Sequence, residues 1–139
     1  YHNKIFLDLF AGIGTMGLEA ISRGMQKSIF YENNREVVKI LGKNCKKFCN
    51  NEQYKIVEDD VNISDINEEF QNISIIYIDP PYQVYDINKL LHVLENKVTK
   101  NSIVAVETSI KDKFIMPNSF KLLKKKEYRK TNISLMILS

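Results

Sequence analysis

The sequence predicts an α/β fold: a seven-stranded, mostly parallel sheet with helices on both faces, closed at its C-terminal end by an antiparallel hairpin. Three observations predict it. Short apolar runs alternate with stretches of helical periodicity through the first hundred or so residues, the signature of strand–helix–strand units in a parallel sheet. Residues 73–78 are continuously apolar apart from one serine, as in a strand covered on both faces. Beyond Glu107 the pattern changes to two extended segments, 120–128 and 132–138, whose three-residue connection is far too short for a crossover helix, so the pair must run antiparallel.

Taken in order, residues 4–10 (KIFLDLF) form the first strand and run into AGIGTMG, where three glycines break any regular pattern. Residues 15–23 are a short helix carrying Met16, Leu18, Ala20 and Ile21, with Gly24 as a left-handed stop. Residues 28–31 are a second strand. Residues 35–48 are a second helix whose Val38, Leu41, Cys45 and Phe48 share one apolar face. Residues 54–57 make a third strand, followed by Asp59, Asp60 and a polar, helix-like stretch to about Phe70. The fourth strand, 73–78, stops at Asp79-Pro80-Pro81-Tyr82. A third helix spans 87–98 with Leu90, Leu91 and Leu94 inward, and residues 102–107 are the fifth strand before the hairpin.

At 139 residues the chain is expected to be a single domain over 1–139, since single cores stop growing near ~250 residues. It is 44% hydrophobic and 27% charged, which excludes the low-hydrophobicity, high-charge class that stays disordered. No apolar run approaches the ~20 residues that cross a bilayer, and no secretory segment opens the chain, so a soluble cytoplasmic protein with no membrane partner is expected. Twenty basic against seventeen acidic residues give a net charge of +3, which permits contact with a polyanion without requiring it. Cys45 and Cys49 lack paired CxxC spacing, and His2 and His92 lie at no metal-ligand spacing. Neither a disulfide scaffold nor a metal site is expected. The chain opens at Tyr1 and enters an apolar strand almost at once, which reads as a fragment or a trimmed chain.

Gly12, Gly14 and Gly17 form G-x-G-x-x-G directly after a strand and at the mouth of a helix, and Glu32 ends the next strand twenty residues beyond Gly12. Together these make a nucleoside-binding signature: the backbone turns sharply and approaches a ligand without a Cβ in the way, and the acid accepts from two ribose hydroxyls. Dinucleotides and S-adenosylmethionine both use this geometry. Asp8 favours the latter, because a carboxylate beside the glycine turn repels a pyrophosphate yet suits the cationic amino-acid end of S-adenosylmethionine. Asp60, just past the third strand, can accept from an adenine amino group, with the adjacent Asp59 a competitor for that role.

In Asp79-Pro80-Pro81-Tyr82 two consecutive prolines fix φ and force the residues before them out of the helical region, so Asp79 and the Pro80 carbonyl are rigidly held acceptors. They suit the two N–H donors of an exocyclic base amine, whose lone pair is then aimed for in-line transfer. Tyr82 offers a flat face on which a flipped-out base can stack.

The segments LDLFAGIGTMGLEAISRG, FYENN and IDPPY resemble the class I S-adenosylmethionine-dependent methyltransferases that act on base amino nitrogens. The run FAG-x-G-x-x-GLEA-x-SRG is most similar to the bacterial 16S ribosomal RNA guanine-N2 methyltransferases of RsmD type. The resemblance runs from Leu7 through the final hairpin and implies a Rossmann-like class I methyltransferase. It implies S-adenosylmethionine held by Asp8, Phe10, Ala11, Gly12, Gly14, Gly17, Glu32, Asn33, Asp60 and Val61. It also implies a catalytic pocket of Asp79, Pro80, Pro81 and Tyr82, with ribosomal RNA or the small ribosomal subunit as partner to a monomer. The basic arm that family members carry before the first strand is absent from this sequence. The DPPY part is shared with adenine-N6 enzymes, so adenine N6 in DNA or RNA is the alternative target. A dinucleotide-binding oxidoreductase leaves DPPY and Asp8 without a role, and a non-catalytic RNA-binding module is the remaining reading.

Two basic features bear on RNA. Arg35, Lys39, Lys43 and Lys47 recur every four residues along the second helix. Eight basic residues between Lys111 and Lys130 face only Asp112 and Glu127, a cluster that attracts phosphate irrespective of sequence and equally protects an edge hairpin from pairing. Glu107 ends the fifth strand as an acid whose role the sequence does not reveal.

Overall fold

The computed structural model describes residues 4–58, 72–81, 86–111 and 113–138. They fall into two compact units, 1–62 and 63–139. In the first unit, β1 (Ile5–Asp8), β2 (Lys27–Glu32) and β3 (Tyr54–Glu58) lie in parallel in the order β3-β2-β1. The helices α1 (Thr15–Ser22) and α2 (Arg35–Phe48) connect them, with a single 3-10 turn at Asn51–Gln53 before β3. In the second unit, β4 (Ile73–Ile78), α3 (Ile87–Glu95), β5 (Ile103–Ser109), β6 (Phe120–Glu127) and β7 (Thr131–Leu138) build the order β4-β5-β7-β6. β4 and β5 are parallel, while β7 is antiparallel to both β5 and β6. The parallel strands and the closing hairpin are those the sequence predicts, and the predicted stretch from Asp59 to Phe70 lies outside the described residues.

The start of α2 is fixed locally. Asn34 caps it, its Oδ1 accepting from the backbone N–H of Glu36 at 3.0 Å and Val37 at 3.2 Å. The end of α1 is closed by a Schellman motif. Gly24, at φ 106°, donates to the Ile21 carbonyl, Met25 donates to Ala20, and Met25 buries itself beneath the turn. α3 is capped by Asp86, which accepts from Lys89 N–H. It stops at Glu95 instead of running to Val98, because the chain tightens around the Leu94 carbonyl, which accepts from both Lys97 and Val98.

Burial separates the strands by kind. In β4, Ile76, Tyr77 and Ile78 are buried in succession, so both faces of the strand are covered, as its apolar run predicts. β7 alternates, with Asn132, Ser134, Met136 and Leu138 buried and their neighbours half-buried. β6 buries only Phe120 and exposes its lysines, with a register shift between Leu122 and Lys124. Lysines and an irregularity are how an edge avoids pairing with another chain.

The core of the first unit gathers Ala11, Phe30, Leu41 and Cys45, with Leu18, Tyr54 and Ile56 against it. Burial pushes the Cys45 thiol up to about 11, helped by the neighbouring Cys49, so it packs as a small apolar side chain. One expectation for α2 fails. Phe48, placed on the buried face by its spacing, is 65% exposed and carries Lys47 Nζ 5.3 Å from its ring centroid. It lies in the last turn of the helix, where periodicity continues but the core beneath has ended.

Glycine is required in α1 for space. A Cβ built on Gly17 would come within 2.2 Å of Phe30 Cε1, and Phe30 is fully buried. Gly17→Ala should therefore lower stability by about 1–3 kcal/mol, the range of an overpacked core. Gly42, inside α2, has nothing within 4 Å of its would-be Cβ, and Gly42→Ala should raise stability by about 0.5–1 kcal/mol. Urea denaturation of the two variants checks both signs.

Candidate functional site

In the first unit the site is built on the turn between β1 and α1. Its backbone is self-contained: Ala11 N–H donates to the Tyr31 carbonyl at 2.9 Å, Gly14 N–H to Ala11 at 3.0 Å, and Leu18 N–H to Gly14 at 2.9 Å. Asp8, only 2% exposed, accepts from Phe10 N–H at 3.3 Å. It thus holds the first corner of the turn, a buried carboxylate compensated by a backbone donor. Phe10 is half-buried and Ala11 buried.

The acid at the end of β2 does more than sequence spacing indicates. Glu32 Oε1 accepts from Gly12 N–H at 2.9 Å, and Oε2 accepts from Asn34 N–H at 3.0 Å. One carboxylate ties the glycine turn to the entry of α2. Each oxygen keeps a further lone pair, so Glu32 can also accept from a diol. Asn33 sits exposed between these two bonded positions.

The three glycines have different tasks. Gly12 has φ +57° and nothing within 4 Å of a would-be Cβ, whereas a Cβ on Gly14, at φ +92°, would come within 2.5 Å of Leu41 Cδ1. Both sit in the left-handed region that disfavours a side chain. Gly14 and Gly17 face the core, and the Gly17 carbonyl accepts from Ser28 Oγ at 2.7 Å. Their effect is to let α1 pack close against β2. Only Gly12 borders open space, alongside the Glu32 carboxylate. That open approach, with an acceptor beside it, fits a nucleoside whose ribose hydroxyls donate.

In the second unit Asp79 and Pro80 follow β4 directly. The last register pair between β4 and β5 is Ile78 with Val106, so Asp79 and Glu107 come next on neighbouring parallel strands. Tyr77 Oη donates to Glu107 Oε2, pinning the acid on β5 to the strand that carries Asp79. Asp79 has an exposed surface, yet its carboxyl is pushed up from 3.8 to about 6, first by desolvation and then by the Glu107 charge. Tyr77 is the residue that sequence reasoning missed. Its signal is the two-residue strand period, which sets it on the same face as Asp79. Asp60, Val61 and Tyr82 lie outside the described residues, while Pro81 is exposed beside half-buried Pro80.

The stripe on α2 is exposed throughout. Arg35 pairs with Glu58 and Lys39 with Glu36, each at 3.3 Å, the ordinary arrangement of a solvated helix face.

Residues 1–137 match the family model described as conserved hypothetical protein 95. Ribosomal RNA small subunit methyltransferase D of Buchnera aphidicola is 36% identical over 128 residues, which are 89% of this chain and 65% of that protein. The protein of the same name from Haemophilus influenzae is 30% identical over 131 residues, 90% of this chain and 67% of that relative. The chain thus spans about two thirds of the length of these curated relatives. The crystal structure of HI0767 from Haemophilus influenzae superposes with a TM-score of 0.86 at 26% identity, over 96% of this chain and 85% of that one. An RNA methyltransferase from Salinibacter ruber, solved with S-adenosyl-L-homocysteine, shares the fold at a TM-score of 0.73 and 15% identity, over 96% of this chain and 80% of that one. A family model matched almost end to end makes this chain a member of the conserved hypothetical protein 95 family, among relatives named ribosomal RNA small subunit methyltransferase D.

Proposed function

We propose that this chain carries the methyl-transfer chemistry of an S-adenosylmethionine-dependent ribosomal RNA methyltransferase, acting on a guanine N2 amino group of small-subunit RNA. The observation that carries the reading is Glu32, a carboxylate with spare lone pairs beside the open flank of Gly12. The names of the two curated relatives support the RNA substrate. S-adenosylmethionine supplies an electrophilic methyl group on a sulfonium. Glu32 accepts from the ribose hydroxyls, and the turn around Gly12 leaves room for the nucleoside. Asp79 accepts from one N–H of the incoming amine and the Pro80 carbonyl from the other, which turns the nitrogen lone pair outward. As the nitrogen gains positive charge, the Asp79 carboxylate stabilises it, and the amine then releases a proton.

Labelled S-adenosylmethionine with unmethylated small subunits should place label on a guanine N2 of 16S RNA. Label on adenine N6 instead would reverse the target, and no label in RNA would end the reading.

The two acids should separate by measurement. Glu32→Ala should weaken cofactor binding by about 1.5–3 kcal/mol, the range for hydrogen bonds to a charged group, part of it through a loosened glycine turn. Calorimetry with S-adenosylhomocysteine reads this. Asp79→Ala should leave that affinity nearly unchanged and slow single-turnover transfer by about 10²-fold or more.

The raised Asp79 pKa fixes the direction of two pH effects. Transfer requires the carboxylate, so the rate should rise with pH through a midpoint near 6, and Glu107→Gln, by removing a negative neighbour, should move that midpoint down. For stability the sign is opposite. Between the unfolded value near 3.8 and the folded value near 6 the folded chain holds the extra proton, so stability falls as pH rises through that window and the deficit is complete above it. Asp79→Asn should therefore raise the melting temperature at pH 7 and have little effect below pH 4.

A further inference from the structure

A concave site lies within the C-terminal unit, on the face of the three strands β5, β7 and β6 that bears Thr108, Asn132, Ser134 and Met136. It is a cavity of about 430 Å³, lined also by Lys113 and Phe114 from the segment between β5 and β6. Small-molecule sites run from about 300 to 1,000 Å³. The register orders its floor. Glu127 pairs with Asn132, Lys125 with Ser134, and Leu122 with Met136, while Thr108 lies on the other side of Asn132. One end of the cavity is therefore rich in acceptors, the middle is cationic, and the far end is apolar.

One polar atom there is unaccounted for. Among the described residues Asn132 Oδ1 is the buried side-chain polar atom without a hydrogen-bond partner, and Asn132 is only 9% exposed. Leaving such an acceptor unsatisfied is costly, and a donor entering the cavity removes that cost. The complementary ligand has a flat body for Phe114, an N–H donor for the Asn132–Glu127 end, and an anionic group for Lys125 and Lys113. A fatty acid or lipid phosphate lacks the donor on a flat body, and a bare phosphate lacks the body. We propose that this cavity is a nucleotide-binding site in which Asn132 Oδ1 accepts from a base amino group, Phe114 lines the base, and Lys113 and Lys125 neutralise the phosphate. The eight basic residues between Lys111 and Lys130 raise the local concentration of such a ligand without choosing its base.

The proposal stands on the second unit alone, so it and the methyl-transfer reading fail separately. The test is a titration of the full chain with AMP in saturating S-adenosylhomocysteine, followed by amide chemical shifts and calorimetry. Adenosine binding at the glycine turn would appear as shifts near Gly12 and Glu32, and binding here as shifts at Thr108, Asn132 and Ser134. Purine riboside monophosphate, which is AMP without its amino group, should bind about tenfold more weakly, the loss of one hydrogen bond to a buried acceptor. Asn132→Leu should erase that difference while keeping or raising the melting temperature, because it removes an unpaired buried acceptor. Lys125→Ala, at an exposed position that leaves folding intact, should weaken both nucleotides by about threefold or more. A single-stranded adenosine-containing oligoribonucleotide that binds more tightly than AMP and shifts the same residues assigns the site to RNA, and equal affinity assigns it to free nucleotides. Equal binding of AMP and purine riboside monophosphate, shifts confined to Lys121, Lys124 and Lys126, or an Asn132→Leu variant that binds AMP as well as the native chain would each overturn the proposal.

Discussion

The first unit depends on one carboxylate. Glu32 receives Gly12 N–H on one oxygen and Asn34 N–H on the other, so the turn after β1 and the entry to α2 are fixed by the same side chain at the end of β2. Remove it and two turns lose a charge-assisted anchor at once, each worth more than a neutral hydrogen bond. The left-handed glycines make this possible. At φ +57° and +92° the chain from Ala11 to Gly14 doubles back, which turns the Gly12 N–H toward the carboxylate. An acid held by two backbone donors is oriented by the fold itself, with little side-chain freedom left.

The same economy appears in the second unit with a different balance of charges. Asp79 and Glu107 come at successive positions on parallel neighbours, where two like charges oppose each other's ionisation. Tyr77 donates to Glu107, which satisfies one of the pair from within the strand layer and leaves Asp79 as the carboxylate turned toward solvent. The cost of the arrangement is electrostatic: partial desolvation and then the Glu107 charge oppose ionisation of Asp79.

Most of the architecture was legible in the sequence because the strands of a parallel sheet announce themselves by uninterrupted apolar runs. The bounds 73–78 and 35–48 that the sequence predicts match the strand and the helix: a proline turn ends the first, and apolar spacing marks the second. Legibility failed where periodicity and burial part company. Phe48 keeps the helical spacing of Leu41 and Cys45 but lies beyond the core, and spacing alone carries no record of where the underlying strands stop. The glycines failed in a subtler way. A G-x-G-x-x-G pattern does not distinguish a glycine that makes room for a ligand from one that makes room for Phe30, because both requirements are steric and both erase the side chain.

Contacts between distant residues were the least legible. Tyr77 with Glu107, thirty residues apart, and Gly12 with Glu32, twenty apart, depend on strand register, which a single sequence does not specify. Yet both follow one rule once the register is known. In a parallel sheet the ends of neighbouring strands lie side by side, so acids spaced widely along the chain are brought to one edge, where the backbone donors of the following turns are unpaired. A carboxylate there has two ways to be satisfied, by those donors or by a ligand. Glu32 uses the backbone and retains lone pairs for a ligand. Asp79, given two prolines without N–H groups as its next neighbours, is denied the donors those positions would otherwise supply. The residues after each acid therefore set its surroundings: an Asn-capped helix gives Glu32 a backbone donor, and a proline pair leaves Asp79 without the donors those two positions would supply.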